Sequence, residues 1–323
     1  VKPNGGAGKK ALVIRYGAFG DMVMSTPAIR LLHEQGYEVD VNCSAYGVDV
    51  IKHNPYVSKI LVQERNAVPN EHLGQLWAEY AKHYDRVANL TQSVEDSLLI
   101  PDGKVAKMGQ DIMAKLEPDT DPEKVWLEII KTFRKQFGDK NYYDNHLEKA
   151  GLSERGLLGE LYFSDIEHRM AHDFLRQHKG KYIILWSLSG SALHKIYPYF
   201  FQTVQGILNS VKDVLVVSVG GTECRILEPP PSGRYLPRSG DWSIRMSMIM
   251  TKYADLVIGP ETGVLNAAVC YDTPKITLRS HSTHSNLCKY WLNDFCMEPN
   301  PERVPCYPCH ILHYSDLSCK RGT

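Results

Sequence analysis

Three turns in this sequence combine glycine or serine residues with a side chain that can accept a proton or neutralise an anion. The first is RYGAFGD at residues 15–21, where Gly17 and Gly20 bracket a turn that ends at Asp21. A carboxylate at such a strand-to-helix turn can take a proton from a hydroxyl group. Asp21 is equally well explained as the N-cap of the helix that follows. The turn therefore predicts either a general base or a helix cap.

The second turn, WSLSGSALHKIYP at residues 186–198, places small hydroxylated residues and one lysine directly after a strand. Hydroxyls, loop amides and an ammonium group can together hold the oxygens of a phosphate. The alternative is an ordinary loop with a solvated lysine. The residues concerned are Ser187, Ser189, Gly190, Ser191 and Lys195.

The third turn lies in ADLVIGPETGVLNAAVCYDTPKITL at residues 254–278. Glu261 and Thr262 stand at the carboxyl end of a buried strand, and Gly263 opens a closely packed helix. Glu261 is either a site residue or a charge at the helix N-terminus. Since all three turns follow strands, they predict one cleft between two domains.

The elements that position these turns follow from the apolar pattern. Short apolar stretches alternate with segments of helical spacing, which implies parallel βαβ units with right-handed crossovers. Three charged, helix-favouring segments lie between residues 100 and 180, and Gly151 is predicted to end the second. We predict two doubly wound α/β domains, residues 1–170 and 171–323. The predicted strands cover residues 11–15, 37–43, 58–63, 84–90, 181–187, 213–221, 254–260 and 275–278.

The charge is distributed unevenly along the chain. The sequence holds 37 basic and 37 acidic side chains, which argues against bulk electrostatic binding to nucleic acid or anionic membrane. Residues 1–165 hold 20 Lys and Arg against 24 Asp and Glu, and residues 166–323 hold 17 against 13. The halves therefore carry −4 and +4, and an anionic ligand favours the second half.

No stretch approaches the ~18 apolar residues that span a bilayer, and the first ten residues lack the apolar core of a secretory signal. We therefore predict a cytoplasmic protein without a transmembrane segment, peripheral to the inner membrane if it acts on a glycolipid.

Five of the eight cysteines crowd into the last 36 residues. Cys306 and Cys309 form a C-x-x-C pair, and Cys296 and Cys319 lie nearby on either side. Four thiolates fit a closed, tetrahedral structural zinc site, whereas reduced cysteines packed in a small tail are the competing interpretation.

The segment ALVIRYGAFGDMVMSTPAIRLL resembles the opening signature R-x-G-x-x-G-D of the heptosyltransferase-like family 9 glycosyltransferases. The resemblance continues in NPYVSKILV, YDRVANL, KIYP and ADLVIGPETGVLNAA, and it spans roughly residues 11–278 in the same order. It matches only loosely over about residues 95–165, where this family shapes its acceptor site.

The resemblance implies a GT-B fold, in which two Rossmann-like domains face a central cleft, the first binding an acceptor and the second a nucleotide-diphosphate sugar. It implies inverting transfer without a metal, with Asp21 as general base and Lys195 neutralising the departing diphosphate. Glu261, Thr262 and Gly263 then bind the donor, together with the serine turn. The residues expected at the acceptor side of the cleft are Gly17, Gly20 and Thr91.

Two departures from the family pattern affect the donor. Glu261 stands where aspartate is usual, and Asn266 stands where histidine is usual. The identity of the donor as ADP-heptose is therefore not implied, whereas the fold and the transfer chemistry are less affected.

The acceptor has several candidates. The family commonly acts on the lipopolysaccharide inner core, whose phosphates call for a basic face, but the first half is net acidic. A protein, a glycan or small glycoside, or a hydroxymethylated base of viral DNA are the alternatives. DNA needs a basic patch, for which a solvated helix face is the competing interpretation. The candidate patch is Lys104, Lys107, Lys115, Lys131, Arg134 and Lys135.

Two other classes of function compete with sugar transfer. A GT-B scaffold that binds a nucleotide or glycan without turnover is suggested by the changed donor residues Glu261 and Asn266. A nicotinamide-dependent oxidoreductase fits a doubly wound fold, but the sequence lacks the G-x-G-x-x-G fingerprint of a dinucleotide site.

Overall fold

The computed structural model contains two fully parallel β-sheets, each flanked by helices. The first has four strands in the order β3-β2-β1-β4, and the second has six in the order β10-β9-β8-β5-β6-β7. The α/β class and the two-sheet architecture predicted from the sequence are confirmed. The structure describes residues 8–64, 67–91, 110–112, 114–121, 124, 125, 128, 140–190, 195–305, 307 and 308.

The strands of the first sheet are β1 (Lys10–Arg15), β2 (Glu38–Cys43), β3 (Val57–Val62) and β4 (Arg86–Asn89). The strands of the second sheet are β5 (Tyr182–Ser187), β6 (Val214–Val219), β7 (Tyr235–Pro237), β8 (Leu256–Pro260), β9 (Lys275–Leu278) and β10 (Asp294–Met297).

The described helices are numbered in chain order. They are α1 (Phe19–Glu34), α2 (Ala45–Ile51), α3 (Asn70–Ala81), α4 (Tyr142–Lys149), α5 (Asp165–Gln177), α6 (Phe200–Ser210), α7 (Ile244–Tyr253), α8 (Gly263–Ala268) and α9 (His284–Leu287), with a 3-10 helix at Thr222–Leu227.

All eight predicted strands are present, and Gly151 follows α4 with a positive φ of 70°, as its predicted role requires. The sequence did not predict β7, β10 or α3. The two strands are short edge strands of three and four residues, too short to show a period.

The helix α1 carries Asp21 and tolerates a proline in its interior. Pro27 has no N–H to donate to the Val23 carbonyl. The Thr26 hydroxyl donates to the Val23 carbonyl oxygen instead, at 2.8 Å. The Thr26 hydroxyl oxygen also accepts the Glu160 N–H at 2.8 Å. The helix therefore stays continuous behind the Asp21 turn.

Helices of each half contribute side chains to the core of the other sheet. Met248 on α7 and Ala267 on α8 pack in the core of the first sheet. Met24 on α1 and Tyr143 on α4 pack in the core of the second sheet. The predicted domain boundary after residue 170 stays a prediction, and α5 runs across that position. Within the described ranges, no helix is long and apolar enough to cross a bilayer.

The buried Arg245 ties the two halves together. Its guanidinium binds Glu167 through two nitrogens, with Nη2 to Oε2 at 2.8 Å, and donates to the Asp49 carbonyl oxygen at 2.5 Å. Burial opposes ionisation of Glu167, but hydrogen bonds from Arg245 and Ser164 outweigh it and lower the pKa of Glu167 to about 2. The carboxylate is therefore ionised wherever the protein is folded above that pH.

Replacing Glu167 with Gln should weaken the fold by on the order of 3 kcal/mol at neutral pH, because the folded pKa lies well below the ordinary value of 4.5. A lowered pKa stabilises the fold above the unfolded value and stops doing so as the pH falls from about 4.5 to about 2. Urea unfolding across this window should show the difference between wild type and variant shrinking. A pH-independent difference would contradict the ion-pair origin.

Candidate functional site

The Asp21 carboxylate is fixed by contacts to both of its oxygens. Oδ1 lies 2.9 Å from Nη2 of the buried Arg15, and Oδ2 accepts the Ala18 N–H at 2.8 Å. Gly17 has a φ of 136°, and a Cβ there would lie 2.6 Å from Asp21 Oδ2, so the turn requires glycine. Ala18, not Asp21, is the N-cap of α1, so the predicted position of Asp21 is wrong; Asp21 stands three residues further on and caps the helix by accepting the Ala18 N–H.

The charges around Asp21 keep it ionised. Burial disfavours the carboxylate, but the Arg15 charge and the Ala18 N–H outweigh it and hold the pKa of Asp21 below its ordinary value. The buried His146 on α4 interacts with Asp21 and Arg15, and burial together with the Arg15 charge lowers the pKa of His146 to about 3. The site at neutral pH is thus a carboxylate beside a neutral imidazole.

Lys195 and the serine turn meet the third turn directly. Lys195 Nζ donates to the Glu261 carbonyl oxygen at 3.3 Å, and Ser187 Oγ lies 3.0 Å from Thr262 Oγ1. A Cβ on Gly190 would lie 2.7 Å from Lys195 Cδ and 3.1 Å from the Glu261 carbonyl oxygen. The predicted donor residues of the two turns therefore form one group.

The Glu261 side chain is buried and fully engaged by its neighbours. Its Oε1 lies 3.3 Å from Arg279 Nη1, its Oε2 lies 3.1 Å from His281 Nε2, and Ser282 Oγ donates to both oxygens at 3.1 and 3.2 Å. The carboxylate thus ties the end of β8 to the segment after β9. Its backbone carbonyl, rather than its carboxylate, contacts Lys195.

The N-terminus of α1 and the N-terminus of α8 approach each other closely. A Cβ on Gly263 would lie 2.6 Å from Phe19 Cβ and 3.4 Å from the Gly20 nitrogen. Asn266 on α8 accepts a hydrogen bond from Tyr143 Oη at 3.2 Å, and its Nδ2 would be 3.0 Å from a Cβ on Gly20. The glycines therefore let the Asp21 turn sit against the third turn.

The structure thus brings together most of the predicted site residues at one place between the sheets. Thr91 follows β4, next to Leu90, whose carbonyl oxygen accepts a hydrogen bond from Arg15 Nη1 at 3.0 Å. Ser189 is partly buried beside Gly190. The following predicted residues lie outside the described ranges: Ser191, Cys306, Cys309, Cys319, Lys104, Lys107, Lys131, Arg134 and Lys135.

Sequence reasoning missed the side chains that support this site. Arg15 stands inside the first motif without an assigned role, and His146 lies in the loosely matching middle of the chain. Arg279 and His281 follow the last predicted strand. A charged residue at the end of an apolar strand, as at Arg15, or directly after one, as at Arg279, was the available signal.

Cys296 lies close to two other side chains that can bind a metal ion. Its Sγ lies within 4.8 Å of Cys288 Sγ and of an Asp294 oxygen, and those atoms lie within the same distance of each other. The sequence predicted Cys296 as a metal ligand but neither of its neighbours here. The tail part of the predicted set lies outside the described residues.

Several solved structures with a similar fold are glycosyltransferases. A family 9 glycosyltransferase from Veillonella parvula DSM 2008 is 13% identical, with a TM-score of 0.61 over 92% of this chain and 88% of that chain. ADP-heptose lps heptosyltransferase II of E. coli is 14% identical, with a TM-score of 0.62 over 90% of this chain and 91% of that one.

A third similar structure is the iron-containing dodecameric glycosyltransferase TibC from enterotoxigenic E. coli H10407. It is 12% identical, with a TM-score of 0.57 over 98% of this chain and 70% of that one. No family model matches the sequence, and no curated protein matches it.

The chain has the GT-B fold. At these identities the likeness concerns the fold, and it covers nine-tenths or more of this chain. The fold expected from the resemblance to family 9 glycosyltransferases is therefore confirmed over both sheets.

Proposed function

We propose that this protein transfers a sugar from a nucleotide-diphosphate sugar to a hydroxyl group. The observation that carries the proposal is the close approach of the Asp21 turn to the third turn, whose Glu261 carbonyl oxygen accepts a hydrogen bond from Lys195. The fold shared with glycosyltransferases supports it. One name among those structures contains ADP-heptose, so an ADP-sugar is the first donor to test.

In the proposed reaction, Asp21 takes the proton of the acceptor hydroxyl as the acceptor oxygen attacks the anomeric carbon. The new bond to the acceptor oxygen forms while the bond from the anomeric carbon to the diphosphate oxygen breaks. Attack opposite the leaving group inverts the anomeric configuration. The lowered pKa of Asp21 keeps its carboxylate unprotonated before this step.

The departing nucleoside diphosphate gains negative charge, and we propose that Lys195 and the hydroxyls of Ser187 and Thr262 stabilise it. We propose that these protein groups perform this task without a metal ion. The excess of positive charge in residues 166–323 supports placing the anionic donor against the second sheet.

The acceptor is proposed to bind against the first sheet, beside Gly17, Gly20 and Thr91. Residues 1–165 carry a net charge of −4, which favours an acceptor poor in phosphate, such as a protein, a glycan or a small glycoside. Hydroxymethylated DNA is a less favoured acceptor, since the net negative charge of this half opposes binding to a polyanion. A cytoplasmic location remains part of the proposal.

A thermal-shift screen of ADP-, UDP-, GDP- and CDP-sugars tests the donor assignment. A ligand present at one hundred times its dissociation constant should stabilise the fold by about 2.7 kcal/mol. The same donor should not raise the melting temperature of the Lys195→Ala variant. The control is Lys181→Ala, which replaces a lysine directly before β5; the donor should stabilise this variant as it does the wild type.

Absence of stabilisation by every nucleotide-sugar would contradict the proposal. Stabilisation without turnover would favour the second candidate, a binding module, which the full engagement of the Glu261 carboxylate supports. Stabilisation by NAD instead would point to an oxidoreductase.

A further inference from the structure

Three side chains that can bind metal converge beyond the edge of the second sheet. Cys288 caps the C-terminus of α9 and is buried, while Asp294 and Cys296 stand two residues apart on β10. Their ligand atoms lie within 4.8 Å of one another. Within the ranges that the structure describes, no other three Cys, His, Asp or Glu side chains meet in this way.

The distances suit a thiolate-rich metal site. A tetrahedral zinc ion bound at about 2.3 Å by sulfur and about 2.1 Å by oxygen holds its ligand atoms roughly 4 Å or less apart. Side-chain movements of about 1 Å at most bring the three atoms into that range. Because Asp294 and Cys296 lie on the same face of β10, no strand has to move.

The two oxygens of the Asp294 carboxylate differ in their contacts. Its Oδ1 accepts the Thr277 hydroxyl at 2.6 Å, whereas its Oδ2 is buried and has no hydrogen-bond partner among the described atoms. A buried carboxylate oxygen without a partner is costly. A metal ion bound to Oδ2 removes that cost, and the Thr277 hydroxyl then holds the carboxylate in place from behind, as supporting residues do in metal sites.

The surrounding charges balance a metal bound by three anionic ligands. Two thiolates, one carboxylate and a divalent ion leave a charge of −1. Arg279 Nη1 lies 3.9 Å from Cys288 Sγ, and the buried Lys275 pairs with Asp294 in the β9–β10 register. These two cations offset the remaining charge of a bound metal and its three ligands.

We propose that Cys288, Asp294 and Cys296 bind a divalent transition-metal ion of the kind that prefers thiolate ligands, zinc or iron(II). The ion joins the end of α9 to the edge strand β10. Arg279 contacts both Cys288 and Glu261, so the metal also steadies the support of the third turn. The inference concerns a structural ion and does not depend on sugar transfer.

The first test measures metal directly. The full chain should contain about one zinc or iron per molecule by elemental mass spectrometry, and that measurement distinguishes the two ions. After chelation, Co²⁺ should bind and give the near-ultraviolet absorption of thiolate ligation and the visible bands of a tetrahedral ion. A wild-type protein that binds no Co²⁺ with thiolate absorption would overturn the proposal.

Substitutions then identify the ligands. Cys288→Ser, Asp294→Asn and Cys296→Ser should each abolish stoichiometric metal, and Thr277→Val should weaken zinc binding about 10–100-fold. Cys224→Ser is the matched control, because Cys224 is also buried but lies outside the cluster. It should keep the full metal content.

A full equivalent of metal in folded Cys288→Ser and Asp294→Asn would overturn the proposal. This holds whether or not substitution of the C-terminal cysteines also lowers the metal content. Circular dichroism identifies variants that fail to fold. If they do fail to fold, the Co²⁺ spectrum is measured on a chain in which Cys306, Cys309 and Cys319 are replaced with serine, and loss of thiolate absorption there would overturn the proposal. Neither readout requires a donor or an acceptor, so failure here leaves the proposed sugar transfer untouched.

Discussion

Asp21→Asn should lower the rate of sugar transfer about 10²- to 10⁴-fold, the range typical of a lost general base. The amide has nearly the same shape and can still accept the Ala18 N–H, but it cannot take the proton of the acceptor hydroxyl. Donor binding should persist because the proposed donor-binding residues belong to the turns of the second sheet. Steady-state transfer rates and donor affinity, measured on both proteins, separate the two effects.

Asp40→Asn is the control for this change. Asp40 is also a largely buried carboxyl of the first sheet, but its Oδ2 accepts a hydrogen bond from the Tyr84 hydroxyl, away from the Asp21 turn. Its transfer rate should stay close to that of the wild type. Equal rates for Asp21→Asn and the wild type would remove Asp21 from the reaction.

Glu261→Ala should destabilise the fold by about 3–5 kcal/mol, because it leaves the buried Arg279 guanidinium without its carboxylate partner. Burial opposes the charge on Arg279, but Glu261 outweighs it and raises the pKa of Arg279. Without Glu261 the guanidinium still keeps its proton at neutral pH, because the intrinsic pKa of arginine is above about 12. Chemical unfolding at neutral pH measures the change.

Glu223→Ala is the matched control, since Glu223 is an exposed glutamate of the same half and its removal should change stability by about 0.5 kcal/mol or less. Glu261→Asp should recover part of the lost stability by restoring the charge at a shorter reach. An unchanged unfolding midpoint for Glu261→Ala would mean that Arg279 does not depend on this carboxylate.

The strands and the glycine turns could be predicted from the sequence because their signals are local. An apolar run followed by glycine and a helical period identifies β1, the Asp21 turn and α1 within about twenty residues. The same pattern identifies β8, Gly263 and α8. These segments carry most of the fold that the sequence predicted.

The supporting contacts could not be predicted in this way because they join distant parts of the chain. His146 is 125 positions from Asp21, and Asn266 is 123 positions from Tyr143. Neither spacing forms a motif. Helix propensity likewise gives no sign that α4 packs behind the Asp21 turn.

The cysteines illustrate the same difference. The sequence predicted a zinc site in the C-terminal tail, because the spacing of Cys306 and Cys309 is a known zinc-binding pattern. Cys288, Asp294 and Cys296 follow no such pattern. They meet because α9 ends where β10 adds to the sheet edge, which only the three-dimensional fold determines.

The most direct test of sugar transfer follows the sugar itself. The full chain is incubated with an isotopically labelled nucleotide-sugar, chosen by the thermal-shift screen, and with protein, glycan and small-glycoside acceptors. We expect stoichiometric release of nucleoside diphosphate, with the labelled sugar attached to a hydroxyl in the inverted configuration. Tight donor binding without any diphosphate release or labelled product would contradict it.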